Sequence, residues 1–129
     1  MQEQLKHEEI TRKIIGCAMR VHTNLGNGFQ EVIYQRSLEI ELALEGIAFE
    51  REKEMSVYYR DILVGTRRVD FFVENLIIIE LKALIELEDV HLAQAVNYLE
   101  AYNVEIGLLI NFGSKSLTFK RLLNKKFKP

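Results

Sequence analysis

Arg68-Val69-Asp70-Phe71-Phe72-Val73-Glu74-Asn75-Leu76-Ile77-Ile78-Ile79-Glu80-Leu81-Lys82 is the stretch on which the fold turns. Two runs rich in β-branched and aromatic residues flank the short connection Glu74-Asn75-Leu76, the mark of a hairpin. Asp70 interrupts the first run, and Glu80 and Lys82 interrupt the end of the second. Charges there oppose strand burial and need a reason. Side chains two apart share a face of a sheet, which puts Glu80 and Lys82 together. A three-residue loop at 74–76 pairs residues whose numbers add to 150 and sets Asp70 opposite Glu80. A two-residue loop gives 149 and places them on opposite faces. The even register is the expectation.

On the N-terminal side, Ile10, Ile14, Cys17/Ala18, Val21 and Leu25 recur at helical spacing, predicting a helix over 8–25 that Gly26-Asn27-Gly28 stops. Tyr34, Leu38 and Leu42 stripe a second helix over 30–45, closed by Gly46. Residues 50–59 alternate as a strand, and Arg60-Asp61 reads as a turn. Residues 62–64 and 68–73 read as one strand interrupted near Gly65 by a bulge or bend. On the C-terminal side, Leu92, Ala95/Val96 and Leu99 mark a helix over 88–102. Residues 106–111 are apolar on both faces, as in a central strand. Residues 116–122 alternate weakly, as an edge strand would. The order α-α-β-β-β-α-β-(β), with a crossover helix before the central strand, predicts an α/β fold with a mixed sheet.

With 129 residues the chain fits one domain, 1–129. Its 48% apolar content excludes disorder as the main state. The lone Cys17 excludes an intramolecular disulfide and any all-cysteine zinc cluster, and fits a reducing compartment. The opening Met1–Glu9 has no apolar signal core, and no apolar run approaches the ~20 residues of a membrane span. A cytoplasmic protein without membrane attachment is expected. From about 113 onward every charge is basic (Lys115, Lys120, Arg121, Lys125, Lys126, Lys128), while residues 1–111 hold all 19 acidic residues. A basic end on an acidic body can dock to phosphates. Its plain alternative is a solvated, frayed terminus. The acidic body argues against strong nonspecific duplex binding, which needs many phosphate neutralisations.

If Asp70 and Glu80 meet, two carboxylates repel unless something compensates. Lys82 offers part of that compensation, and a divalent cation would supply the rest. Oxygen-only ligands select hard ions, Mg²⁺ or Mn²⁺, and the Leu81 main-chain carbonyl could add an oxygen. The plain alternative is a cross-strand salt bridge of Lys82 with Glu80 or Asp70 on a solvated face. Glu31 shares a helix face with Tyr34 and Leu38, so it is expected to point inward. A first-turn glutamate serving only the helix dipole would explain its position but not that face. His91, Gln94 and Tyr98 form a polar stripe that could hold phosphate or water, or simply the outer side of an amphipathic helix.

Gly28-Phe29-Gln30-Glu31-Val32-Ile33-Tyr34 resembles the motif of the GxxExxY proteins, and 21–28 resembles that family's lead-in. Arg68-Val69-Asp70, Ile79-Glu80-Leu81-Lys82, Gln94 through Leu99, and Gly107 through Gly113 continue the resemblance in order, over about 10–122. That family is placed in the PD-(D/E)XK nuclease superfamily. The resemblance implies a restriction-endonuclease-like fold, a four-stranded central sheet with an αβββαβ core flanked by helices. It implies Asp70 and Glu80 as metal ligands, with Leu81 and Glu31 completing the site. Lys82 would position or activate the attacking water, and Gln94 would help at the scissile phosphate. Where that superfamily names a proline before the aspartate, this sequence has Val69. Arg67, Arg68, Tyr34, Tyr98, Lys120 and Arg121 are the candidate contacts to nucleic acid, with surface ion pairing the alternative for Arg67 and Arg68.

The expected function is Mg²⁺- or Mn²⁺-dependent hydrolysis of phosphodiester bonds in nucleic acid, with DNA as substrate. A homodimer would enlarge the small footprint. A second reading is a catalytically silent nuclease-fold module that binds or assembles with a protein partner. A third is a structural oligomer in which Lys82 packs tightly between Asp70 and Glu80.

Overall fold

The computed structural model describes residues 7–129, so the opening residues 1–6 lie outside the described residues. Eight elements occur in the expected order: α1 (Glu8–Leu25), α2 (Glu31–Leu44), β1 (Phe49–Tyr59), β2 (Ile62–Val73), β3 (Ile77–Lys82), α3 (Asp89–Tyr102), β4 (Ile106–Asn111) and β5 (Thr118–Leu123). The strands form one five-stranded mixed sheet in the order β1-β2-β3-β4-β5. That is one strand more than the resemblance implies, because β5 pairs antiparallel along all of β4. β3 and β4 are parallel, as the α3 crossover requires. No helix among the described residues is long and apolar enough to cross a membrane.

The helices cover both faces of the sheet. α1 and α2 bury Ile14, Cys17, Tyr34 and Leu38 against Phe71, Ile77, Ile79, Leu81 and Ile110. α3 buries Ala95 and Leu99 against Val69, Ile78 and Leu109. β4 is buried at every position, which is why its sequence shows no alternation.

Two irregularities shape the β1–β2 hairpin. β2 is one continuous strand, and the disturbance expected near Gly65 is a bulge, where Val57 pairs with Gly65 and Tyr58 with Leu63, leaving Val64 unpaired. The second lies at Glu52, whose φ of 53° is left-handed. Arg51 pairs with Phe71 and Lys53 with Val69, but Glu52 and Asp70 drop out of the ladder between them. Phe49 and Phe71 pack with α1 and α2, whereas Met55 and Val69 pack beneath α3. The odd-numbered side chains of β2 therefore switch from one face of the sheet to the other at Asp70.

The C-terminal segment is not frayed. Asn124 is buried and donates to the carbonyls of Leu99 and Val104, both at 3.1 Å. Asn103, left-handed at the end of α3, exchanges two hydrogen bonds with the backbone of Lys128.

Candidate functional site

The 73–77 turn sets the register. Val73 pairs with Ile77, Phe72 with Ile78 and Phe71 with Ile79, so the numbers add to 150 as expected. Glu74 and Asn75 both take positive φ, which gives the turn the twist that antiparallel strands need. The ladder then stops one residue short of Asp70 and Glu80. The Lys82 carbonyl accepts the Phe112 N–H at 2.8 Å, so even-numbered residues of β3 turn their backbone groups toward β4. Odd-numbered ones, Leu81 included, turn theirs toward β2. There Asp70 replaces the departed strand: its Oδ2 accepts the Leu81 N–H at 2.7 Å.

Asp70 is held from a second side. Its Oδ1 accepts Nε2 of the buried Gln35 on α2 at 2.9 Å. Gln35 Oε1 accepts Arg51 Nη1 at 3.2 Å, and Arg51 Nε donates to Glu39 at 3.0 Å. Arg51 thereby fixes which end of the Gln35 amide faces Asp70. Sequence reasoning missed Gln35, Arg51 and Glu52. Gln35 carried a signal: it lies four residues after Glu31, on the same helix face.

Glu80 lies beside Asp70. Burial first, and then the charge of Asp70, push its carboxyl up to about 9, against the pull of Lys82. Burial also raises Asp70, while the Leu81 N–H, the Gln35 amide, Glu80 and the Lys82 ammonium draw it back. At neutral pH a proton on Glu80 thus relieves the repulsion between the two carboxyls. Glu80 Oε1 is buried without a hydrogen-bond partner among the described residues. Lys82, half-buried at the end of β3, makes no ion pair within 4.0 Å among the described residues, so it is not clamped between the acids.

Glu31 does not point into the core. It is exposed and lines a cleft of about 230 Å³ with Val32, Gln35, Glu52 and Asp70. Partial burial in that cleft, then Asp70, raises its carboxyl, and Lys82 lowers it. No three His, Cys, Asp or Glu side chains gather into a ready metal cage among the described residues. The donor set still fits a hard divalent ion. Mg²⁺ is commonly held by one or two carboxylates, with water and substrate phosphate supplying the rest. The partnerless Glu80 oxygen beside Asp70 is the feature such an ion would satisfy.

Other candidates fall elsewhere. Tyr34 is fully buried and cannot touch nucleic acid. Its hydroxyl donates to the Gly26 carbonyl at 2.7 Å and accepts the Phe29 N–H at 3.1 Å, while its ring stacks on Phe112 at 4.7 Å. It therefore shapes the turn between α1 and α2. His22 bonds the Ser114 carbonyl at 3.0 Å, so this lead-in docks on the segment after β4. That segment supports β3 in turn: the buried Asn111 bonds both backbone groups of Leu84, each at 2.9 Å. His91 Nδ1 accepts the Glu88 N–H at 2.9 Å and caps α3, which puts its proton on Nε2. Gln94 is exposed one turn before Tyr98. Tyr98 is half-buried within electrostatic reach of Glu80 and Asp70. Arg67 is exposed and donates to the Thr66 carbonyl; exposed Arg68 pairs loosely with Glu54 at 3.9 Å. Lys120 and Arg121 lie on β5, which β4 separates from the carboxylates. The structure does not bring them to the site.

A family model described as the PD-(D/E)XK nuclease superfamily matches residues 8–122. Among curated proteins, none matches the chain. Among solved structures, the crystal structure of SSO0001 is similar, with a TM-score of 0.59 at 17% identity over 92% of this chain. The present chain spans 60% of that one, and the likeness is one of fold. Nucleases of this class generally use divalent metals, in keeping with the donor chemistry of the two carboxyls. Because the model match covers all but the ends of the sequence, this chain belongs to the PD-(D/E)XK nuclease superfamily.

Proposed function

We propose that this protein is a Mg²⁺- or Mn²⁺-dependent phosphodiesterase of the GxxExxY group, a single nuclease-like domain that cleaves nucleic acid, with DNA the expected substrate. One observation carries this reading: beside Asp70, a buried Glu80 oxygen has no hydrogen-bond partner among the described residues, and no acid among them clamps Lys82. A divalent ion bound there would polarise the phosphoryl oxygen and lower the pKa of its water. Asp70 and Glu80 would hold the ion, and the Leu81 carbonyl faces the same sheet edge as its N–H. Lys82 orients the attacking water and stabilises the charge that develops on the phosphate. Gln35 and Arg51 keep the Asp70 carboxylate aimed. Glu31 stands at the cleft rim, where water or a substrate phosphate would pass. Arg67 and Arg68, on the strand that carries Asp70, are the nearest candidates to hold the substrate backbone.

Calorimetric titration of Mg²⁺ and Mn²⁺ into the wild type and an Asp70→Ala variant tests the site; binding should vanish in the variant. Cleavage of DNA and RNA should then require the metal and be lost in Lys82→Ala. Equal activity of a purified Lys82→Ala protein would remove the proposal. Metal binding without cleavage of any form would favour a silent binding module instead.

A further inference from the structure

A second cavity, of about 280 Å³, lies between the β1–β2 hairpin and α3, and the nuclease chemistry does not use it. Its size falls at the small end of ligand pockets, enough for a planar ring. Val57 and Val64 give it apolar walls, Arg67 and Asn97 give it polar groups, and Tyr98 gives it an aromatic wall. The Tyr98 ring is braced by Tyr102, with centroids 6.2 Å apart and planes 27° from parallel. Tyr98 also lies within electrostatic reach of Glu80 and Asp70. Gly65 keeps the space open. A Cβ there would meet nothing within 4 Å, and its φ lies outside the left-handed region, so neither packing nor backbone demands a glycine.

We propose that this cavity receives an unstacked nucleobase of the strand being cleaved, so that the protein prefers single-stranded or locally opened nucleic acid over intact duplex. The inference rests on the nuclease reading and names its substrate class. A base inside a duplex hides both faces, whereas an unstacked one can lie on a tyrosine and be read at its edge. Asn97 offers both a donor and an acceptor to such an edge, and Arg67 offers only donors. Tyr58 and Tyr59, exposed farther along the same hairpin, give neighbouring bases a surface to stack on. The acidic body, a poor clamp for duplex phosphates, fits the same preference.

Anisotropy with a labelled single strand, its duplex, and the same strand carrying one abasic position tests this in Ca²⁺, for DNA and RNA alike. The proteins are the wild type, Gly65→Val and Tyr98→Ala, and the heat of Mn²⁺ binding reports whether each keeps its carboxylate site. The wild type should bind the single strand at least about tenfold more tightly than the duplex. One abasic position and either substitution should each remove most of that preference. A wild type that favours duplex overturns the cavity's role, as does a Gly65→Val protein with wild-type affinities. In both cases metal-dependent cleavage would leave the nuclease reading standing. A wild type that binds no metal and cleaves nothing overturns both.

Discussion

Replacing Glu80 by glutamine should turn a pH-sensitive protein into a pH-tolerant one when divalent ions are chelated. Burial and the neighbouring Asp70 push the Glu80 carboxyl from 4.5 up to about 9. In the unfolded chain it loses its proton near its ordinary value. Between those values the folded protein holds a proton that the unfolded chain has released, so stability falls as pH rises. The contribution is complete below about pH 4.5 and is lost progressively toward pH 9. Each pH unit inside the window corresponds to about 1.4 kcal/mol. Going from pH 6 to pH 8 should thus remove at most roughly 3 kcal/mol. At about 3–4 °C per kcal/mol for a chain of this length, the melting temperature should drop by roughly 10 °C. Glutamine has nearly the same volume and no proton to lose, so its curve lacks this component. Asp70 and Glu31, also raised, tilt both curves the same way, and the difference between the two proteins reports the Glu80 proton together with its coupling to Asp70. Scanning calorimetry in EDTA from pH 6 to pH 9 is the assay. The gap should widen with pH in favour of the variant. Parallel curves would refute the assignment of the proton to Glu80. Saturating Mg²⁺ at pH 8 should raise the wild type more than the variant, because binding to the folded state requires the carboxylate.

Tyr34→Phe should cost about 1–2 kcal/mol in urea denaturation, since two backbone groups lose their partner, while Mn²⁺ binding persists. Loss of nucleic-acid binding with unchanged stability would contradict its structural role. Gly113→Ala should destabilise by roughly 3 kcal/mol or more, because its Cβ would stand 2.3 Å from the Leu84 nitrogen and 2.5 Å from the Ala83 carbonyl carbon. A soluble variant with wild-type stability would show that the 83–84 backbone yields freely. Gln35→Ala should weaken Mn²⁺ binding by about 10–100-fold, the usual loss when a ligand's hydrogen-bonded support is removed. Unchanged calorimetric affinity would show that the Leu81 N–H alone positions Asp70.

Whatever depends on near neighbours was legible in the order of residues. Period 3.6 against period 2 separated the helices from the strands. The continuous apolar run at 106–111 marked a strand buried on both sides, and the three-residue connection at 74–76 set the hairpin register. That register alone puts Asp70, Glu80 and Lys82 at one end of the hairpin. Whatever depends on distant segments meeting emerged only in the folded chain. β2 leaves β3 at Asp70, and no pattern within either strand announces it. Gln35 and Arg51 reach Asp70 only because α2 crosses that point of the sheet. Tyr34 had the motif of a site residue, yet its hydroxyl is consumed by the turn before it. Glu31 shares its stripe, but in the first turn of α2 the core no longer covers that face, so it meets a cleft instead. The basic end looked unattached because Asn103 and Asn124, which anchor it, resemble ordinary loop residues. Local propensity is written in consecutive side chains. Which polar groups finally satisfy one another depends on how the packed layers cross, and that is known only once the chain has closed on itself.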